Sequence, residues 1–423
     1  MTLEQICSQF QEERQRLAEA WQTKHDAQAY LRAHTAVLDQ AIRSMITLND
    51  LPSDDLAIVA VGGYGRAELF PFSDIDLLVL TTDEASTNEA LQEKISTFVT
   101  QLWELRLTVG ASVRSVTSFL TEATNDVSIA TTYLESRCLW GNTQLYVSSR
   151  NRFIETLDAR RFFRDKMLEL ARRHQKFEDT PYSLEPNIKE SPGGLRDLQV
   201  FLWCAQAAGV AQSVTDMKTT GLITEREMHT LMACTRHLET LRISLHLITR
   251  RAENRLLFDV QEELAQSLGY TATQQLRPSE ALMKRYYLNA KAVVQMSVIQ
   301  LQALADRLFG SYDNVKPVAL ERAFVARGDE MDIVNDEVFE EDPNAILRLF
   351  YVYPSHPELT RLSTRLLRAL WHASPNIDED YRHNPIHQQT FLDILRMPKG
   401  TYHSLKLMNM WDVLGRFLPP FRQ

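Results

Sequence analysis

The sequence predicts an α+β protein in which a small mixed sheet with helices is followed by a mainly helical bundle domain. Three observations predict it. Two short apolar runs, Leu56 to Val61 and Ile75 to Leu80, flank a loop bearing Gly, Pro and Ser. From about Arg160 to Phe309, apolar residues recur at spacings of three and four with charges between them. The chain has 423 residues, more than one ordinary core holds, so two or three domains are expected.

Residues 1–50 read as a helical lead-in. Apolar and Ala positions in QEERQRLAEAWQTKHDAQAYLRAHTAVLDQAIRSMITL keep one face, and neither Gly nor Pro interrupts them. The texture changes at LPSDD. LAIVAVGGYGRAELFPFSDIDLLVL then reads as strand, loop, short helix, strand; Asn88 to Leu105 reads as helix, and LTVGASVRSV alternates as a third strand. These elements define a domain over 51–150. The next, over 151–310, is helical, with long periodic stretches such as MHTLMACTRHLETLRISLHLITRRAENRLLF. Residues 311–423 begin with a hairpin in RAFVARGDEMDIVND and continue as a mostly helical connector broken by Pro354, Pro357, Pro375, Pro385 and Pro398.

Composition narrows the function classes. Hydrophobic residues at 44% and charged residues at 24% describe a globular chain. No stretch reaches the roughly 20 apolar residues of a membrane span, and the N-terminus has no cleavable apolar core, so a cytoplasmic protein is expected. A net charge of -9 disfavours a nucleic-acid footprint, leaving a small nucleotide or a protein as the partner. Cys7, Cys138, Cys204 and Cys234 have no paired spacing, which argues against a zinc site or a disulfide framework.

Glycine is scarce, 14 in all, yet Gly62, Gly63 and Gly65 stand together after an apolar strand. Such clustering marks backbone that turns tightly or approaches a ligand closely, and its N–H groups suit an anion. Ser73, Asp74, Ile75 and Asp76 then enter the second apolar run. On a strand, residues i and i+2 project from one face about 7 Å apart, so both carboxylates can converge on a metal ion. Without one they would repel and pay for desolvation. Two divalent ions roughly 4 Å apart commonly serve in-line attack on a phosphoryl group. Other anion-binding patterns fit worse. A dinucleotide fingerprint from Gly63 needs Gly or Ala where Glu68 stands, a P-loop from Gly62 lacks its second Gly and Lys, and a calcium loop from Asp74 meets Leu78 at an oxygen-ligand position. The bland reading is a tight turn followed by a strand with a solvated acidic pair.

A second glycine pair, Gly193 and Gly194, lies in EPNIKESPGGLRDLQVFLW. Proline and two glycines before a periodic run deliver a helix start that could present Lys189 and Arg196 to phosphate or to acidic side chains. A plain helix-entry turn with Arg196 and Asp197 paired on the surface explains the residues equally well.

VGGYGRAELFPFSDIDLLVL resembles the signature of the DNA polymerase beta-type nucleotidyltransferase superfamily, and specifically that of the bacterial PII protein uridylyltransferase/uridylyl-removing family. The resemblance implies a polymerase beta-like nucleotidyltransferase domain in which Gly62 and Gly63 sit against a triphosphate and Asp74 and Asp76 bind Mg2+. Gly65, Arg66 and Ser73 match the motif in a supporting nucleotide-binding role. The Lys189 to Arg196 segment is similar to the family's second block and to its glutamine synthetase adenylyltransferase relatives, which makes Lys189, Gly193, Gly194 and Arg196 contact candidates. NRLLFDVQEELAQSLGY and ALMKRYYLNA extend the resemblance over almost the whole chain. It implies UTP as donor, a tyrosine of the nitrogen-regulatory PII protein as acceptor, and a role in nitrogen metabolism. Protein adenylyl transfer, or a decayed binding module, are the competing expectations.

Three departures from the family bear on mechanism. LTVGASVRSV offers no third carboxylate, and Ala111 stands where the family usually has His. The family continues with an HD phosphohydrolase domain and two ACT domains, whereas this sequence ends at Gln423, so uridylyl removal and glutamine sensing are expected to be missing from it. The lone His25-Asp26 dipeptide is expected to be a solvated pair within the N-terminal helix.

Overall fold

The computed structural model describes residues 1–312 and 314–422; Asp313 and Gln423, both within the segment expected as a connector, lie outside the described residues. The chain divides into two compact units, Met1–Val293 and Val294–Gln423.

The first unit opens with α1 (Leu3–Lys24), started by a capping box between Thr2 and Gln5, and α2 (Ala27–Leu48). What the sequence offered as one uninterrupted helical run is two helices. His25 adopts a left-handed conformation that ends α1, and the Asp26 carboxylate accepts from the N–H of Ala29 to begin α2. The His-Asp pair is therefore a helix-helix turn, not a pair on one helix.

Next come β1 (Leu56–Ala60), the one-turn α3 (Gly62–Gly65), β2 (Ile75–Thr81), α4 (Glu89–Leu102), β3 (Val109–Ser115), α5 (Val116–Asn125), α6 (Val127–Leu134) and β4 (Arg137–Gly141). The strands form one sheet in the order β3-β2-β1-β4, parallel between β2 and β3 and antiparallel elsewhere. The expected short helix beyond the glycine loop is instead made by the glycines themselves, and 67–74 runs on as irregular backbone. Strand β4, RCLWG, has no clean alternation, which is why the sequence pattern passed over it.

Alternation along the strands sorts the two faces. Ile58, Ala60, Ile75, Leu77, Val79, Val109 and Ala111 face a core completed by Leu38, Ile42 and Met45 of α2 and by Leu91, Ile95, Phe98 and Leu102 of α4. Those four α4 residues, spaced four, three and four apart, each contribute about 1.5–3 kcal/mol by burial. The opposite face carries Asp76, whose register partner on β3 is Gly110.

After the sheet, α7 (Thr143–Thr156), α8 (Ala159–Gln175), α9 (Leu195–Ala207), α10 (Val214–Thr219), α11 (Glu225–Thr249), α12 (Phe258–Ser267) and α13 (Pro278–Phe309) supply the helical part. Its core gathers Leu238, Leu241 and Leu245 of α11, Leu264 of α12, and Leu282 and Tyr286 of α13. Trp21, Tyr30 and Leu31 belong to this second core, while Ile6 and Leu38 belong to the first. The lead-in helices thus brace both.

The second unit contains a sheet of β5 (Val318–Glu321), β6 (Phe324–Arg327), β7 (Glu330–Ile333) and β8 (Arg361–Leu362), in that order. The expected hairpin is β6 and β7, turned at Gly328. Short helices, among them Ala345–Val352, Thr364–Ala373, Pro385–Leu395 and Thr401–Met410, follow as the prolines suggested. Among the described residues, no helix is long and apolar enough to cross a membrane.

Candidate active site

One cleft of about 420 Å³ in the first unit collects residues that the sequence spreads from Gly62 to Asn254. Gly62, Gly63, Arg66, Ser73, Asp74 and Asp76 form one side; Lys189, Arg196 and Arg242 are among the residues of the other.

The glycine turn is set by its neighbours. Gly62 has φ +59, and a β-carbon there would meet the Asp76 carboxylate at 3.3 Å. Gly65 would collide with the backbone of Glu135, so it packs the turn against the chain beyond α6 and does not line the cleft. The Val61 N–H donates to the Asp76 carbonyl at 3.1 Å, which ties the start of the turn to the acidic segment.

Asp76 lies on β2, whereas Asp74 sits one residue before the strand and is exposed. Neither carboxylate makes a hydrogen bond or an ion pair among the described residues. Burial and the neighbouring Asp74 hold the Asp76 carboxyl above the usual carboxylate range, and Lys189 only partly offsets them. An oxygen-only pair of unpartnered carboxylates lining this cleft suits a hard divalent cation. Among the described residues no third His, Cys, Asp or Glu completes a ligand cluster with them. Remaining ligands would have to come from water or from a bound phosphate. Gly110 occupies the β3 position beside Asp76, and a β-carbon there would come within 2.7 Å of Asp76 Oδ1, so a side chain has no room. Ala111 points to the opposite, core face with its partner Leu77.

The facing wall begins with the segment that carries the second glycine pair. Asn187 Oδ1 accepts from the N–H groups of Lys189 (3.0 Å) and Glu190 (2.9 Å), and the Ile188 N–H donates to the Asn254 carbonyl at 2.7 Å. Asp197 is not the surface partner of Arg196. It is buried, accepts from the Gly193 N–H at 2.7 Å, and pairs with Arg173 (2.7 Å) and His174 (2.9 Å). Gly193 and Gly194 pack against the backbone of Ala290 and of Ile188, behind the wall and away from the cleft. Their backbone aims Lys189 and Arg196; their own atoms form no part of the lining.

Three cations crowd there. Burial, Arg196 and Arg242 lower Lys189 to about 8. Burial, Arg66 and Arg196 lower Arg242 to about 9. Arg242 donates to Asn254 Oδ1 at 2.7 Å and lies 4.0 Å from the centre of the Phe70 ring, with no ion pair among the described residues. Arg196 has Glu190 at 3.3 Å and the Trp203 ring at 5.2 Å.

Sequence reasoning missed Glu135, Lys166, Glu169, Trp203 and Arg242, all of which line the cleft. Glu135 accepts from both Arg66 and the Trp203 indole, and Arg66 also holds Glu68 at 2.7 Å. Burial works against the charge of Arg66, but these two carboxylates outweigh it and raise its pKa. Lys166, 2% exposed, pairs with Glu169 at 2.8 Å over the Trp203 ring.

Comparison with known proteins assigns these parts. Residues 39–114 match a nucleotidyltransferase domain, 161–300 match the family described as GlnD PII-uridylyltransferase, and 324–417 match the uridylyltransferase GlnD third domain. A bifunctional uridylyltransferase/uridylyl-removing enzyme of Burkholderia orbicola (strain AU 1054) is 42% identical over 416 residues, which is 98% of this chain and 48% of that protein. One of the same description from Burkholderia pseudomallei (strain 1106a) is 44% identical over 393 residues, 93% of this chain and 46% of its own length. The chain thus spans about half the length of the curated relatives it matches.

Proposed function

The chain belongs to the GlnD PII-uridylyltransferase family, and on that premise we propose that it transfers UMP from UTP to a tyrosine of a PII-type signalling protein in the cytoplasm, releasing pyrophosphate.

The observation that carries this reading is the opposition of charge across the cleft. Asp74 and Asp76, without partners, face Lys189, Arg196 and Arg242; burial and the neighbouring guanidinium groups lower the pKa of Lys189 and of Arg242. A cation held by the carboxylates together with a polyanion against the three cations neutralises both sides at once.

Asp74 and Asp76 would hold Mg2+, which when bound supplies charge neutralisation at the reacting phosphorus and its leaving group. Gly62 and Gly63 let the triphosphate approach the backbone. Lys189 and Arg242 meet the charge that develops on departing pyrophosphate, and Arg196 frames the same wall. Arg66 keeps the glycine turn closed through Glu68 and Glu135, and Ser73 contacts Arg242 at 3.5 Å, bringing the acidic segment toward the basic wall. The buried Trp203 and Lys166 line the same cleft and keep water from the part they cover.

The test is transfer of label from UTP to a PII protein in the presence of Mg2+, run beside Asp74→Asn and Asp76→Asn and repeated with ATP. Transfer from UTP that both substitutions abolish is the expected result. Transfer that survives them removes these carboxylates from the mechanism, and a preference for ATP replaces the uridylyl reading with an adenylyl one.

A further inference from the structure

A second and larger groove, of about 1090 Å³, opens elsewhere on the first unit and is lined by α1, the end of α11 and the Pro71–Phe72 backbone. Arg14, Arg106 and Arg250 line it, with Glu263 as the one carboxylate on its walls. None of the three arginines forms an ion pair among the described residues. The chain as a whole carries a charge of -9, so this concentration of unpaired positive charge runs against its overall balance.

Arg14 is the most informative of them. Its guanidinium donates to the Pro71 carbonyl at 2.6 Å and to Gln11 at 3.2 Å, and it lies 5.5 Å and 5.2 Å from the centres of the Phe10 and Phe72 rings. Burial pulls its pKa down and no carboxylate answers it. A cation fixed in place by neutral acceptors and aromatic faces is prepared for an anion that the chain itself does not supply. Arg250 caps the C-terminal end of α11, where a positive charge complements the helix dipole. Arg14 sits in mid-helix and that explanation does not reach it.

We propose that this groove binds an acidic peptide segment that also carries apolar side chains. Size and layout select a peptide over a small anion. The volume exceeds the 300–1,000 Å³ usual for small-molecule sites. The arginines come from α1, from the turn before β3 and from the end of α11, so their charges are spread along the groove instead of converging on one point. Trp21, Phe72, Leu247 and Ile248 supply an apolar lining. The groove has its own cations and shares no lining residue with the nucleotide cleft, so the proposal stands independently of the transferase reading.

The experiment is fluorescence anisotropy of the full chain with a fluorescein-labelled Glu-Leu-Glu-Tyr-Glu-Leu peptide, against the same peptide with Lys in place of Glu. The variant is Arg106→Asn with Arg250→Asn. Both positions have left-handed backbone, which Asn tolerates best among residues with a β-carbon, so charge is removed without new strain. The acidic peptide should bind and the lysine version should not. The double variant should weaken binding about tenfold, as expected for lost charge-assisted contacts, and saturating UTP with Mg2+ should leave it unchanged. Absence of binding, equal binding by the variant, displacement by UTP, or displacement by inorganic phosphate at matched concentration each overturns the proposal. If the peptide binds while UTP does not, the nucleotide reading alone fails.

Discussion

The backbone oxygen of Glu135 stands 1.8 Å from the point that a β-carbon on Gly65 would occupy, and the oxygen of Ala60 stands 2.9 Å from it. Both obstacles are main chain and cannot swing aside. Gly65→Ala should therefore force the glycine turn away from the end of β1 and from the chain just beyond α6, and cost about 2–4 kcal/mol. Gly63, two residues earlier in the same turn, has its nearest neighbours at 3.7 Å, and Gly63→Ala should stay within about 1 kcal/mol of the parent. Urea midpoints of the two variants check this, and equal losses would contradict the packing assigned to Gly65.

That contrast also marks what the sequence makes legible. Gly62 and Asp76 declare themselves because strand, turn and strand are contiguous, and alternation alone puts Asp76 on the face opposite the core. Glu135, Trp203 and Arg242 do not, since each lies on a separate helix or helix end and reads there as ordinary cap, core or surface charge. Their convergence is produced by packing of α6, α9 and α11, and no local period encodes it. The β4 strand was hidden for a related reason: its pairing with β1 shifts register between Ile58 and Val59, so its five residues alternate imperfectly.

Glu135 itself is expected to behave as the keystone of this arrangement. It is 7% exposed, and its carboxylate receives Arg66 and the Trp203 indole. Glu135→Ala leaves a buried guanidinium short of a partner and should cost about 3–5 kcal/mol. Glu135→Gln keeps an acceptor for Trp203 while removing the charge, and should cost roughly half as much. Thermal and urea unfolding distinguish the two; a neutral Glu135→Ala would show that Arg66 is sufficiently held by Glu68 alone.

The carboxylate pair makes an opposite prediction. Because burial and Asp74 raise the Asp76 pKa, folding disfavours its ionised form, and the resulting penalty is present above the raised pKa and fades as pH falls through it. At neutral pH without divalent ions, Asp76→Asn should unfold at the same temperature as the parent or higher. With Mg2+ added, the parent should gain stability by mass action and the variant should not. A Tm that falls on substitution in EDTA would mean that Asp76 has an unseen stabilising partner.

The basic wall gives a pH signature whose sign follows from the same linkage. Lys189 drops from its ordinary 10.5 to about 8, so between these values the unfolded chain holds a proton that the folded chain has released. Stability should rise with pH across that window, and the lowering of Arg242 to about 9 acts in the same direction. Pyrophosphate bound to these cations restores their protons, so it should raise Tm most near pH 7 and progressively less toward pH 10. Lys189→Met should flatten the rise without ligand and weaken the pyrophosphate effect together, because one side chain causes both. Scans of Tm against pH, with and without pyrophosphate, decide it. If the slope persists in the variant while pyrophosphate stabilisation is intact, the crowding of Lys189 against Arg196 and Arg242 is not what prepares this wall for a polyanion.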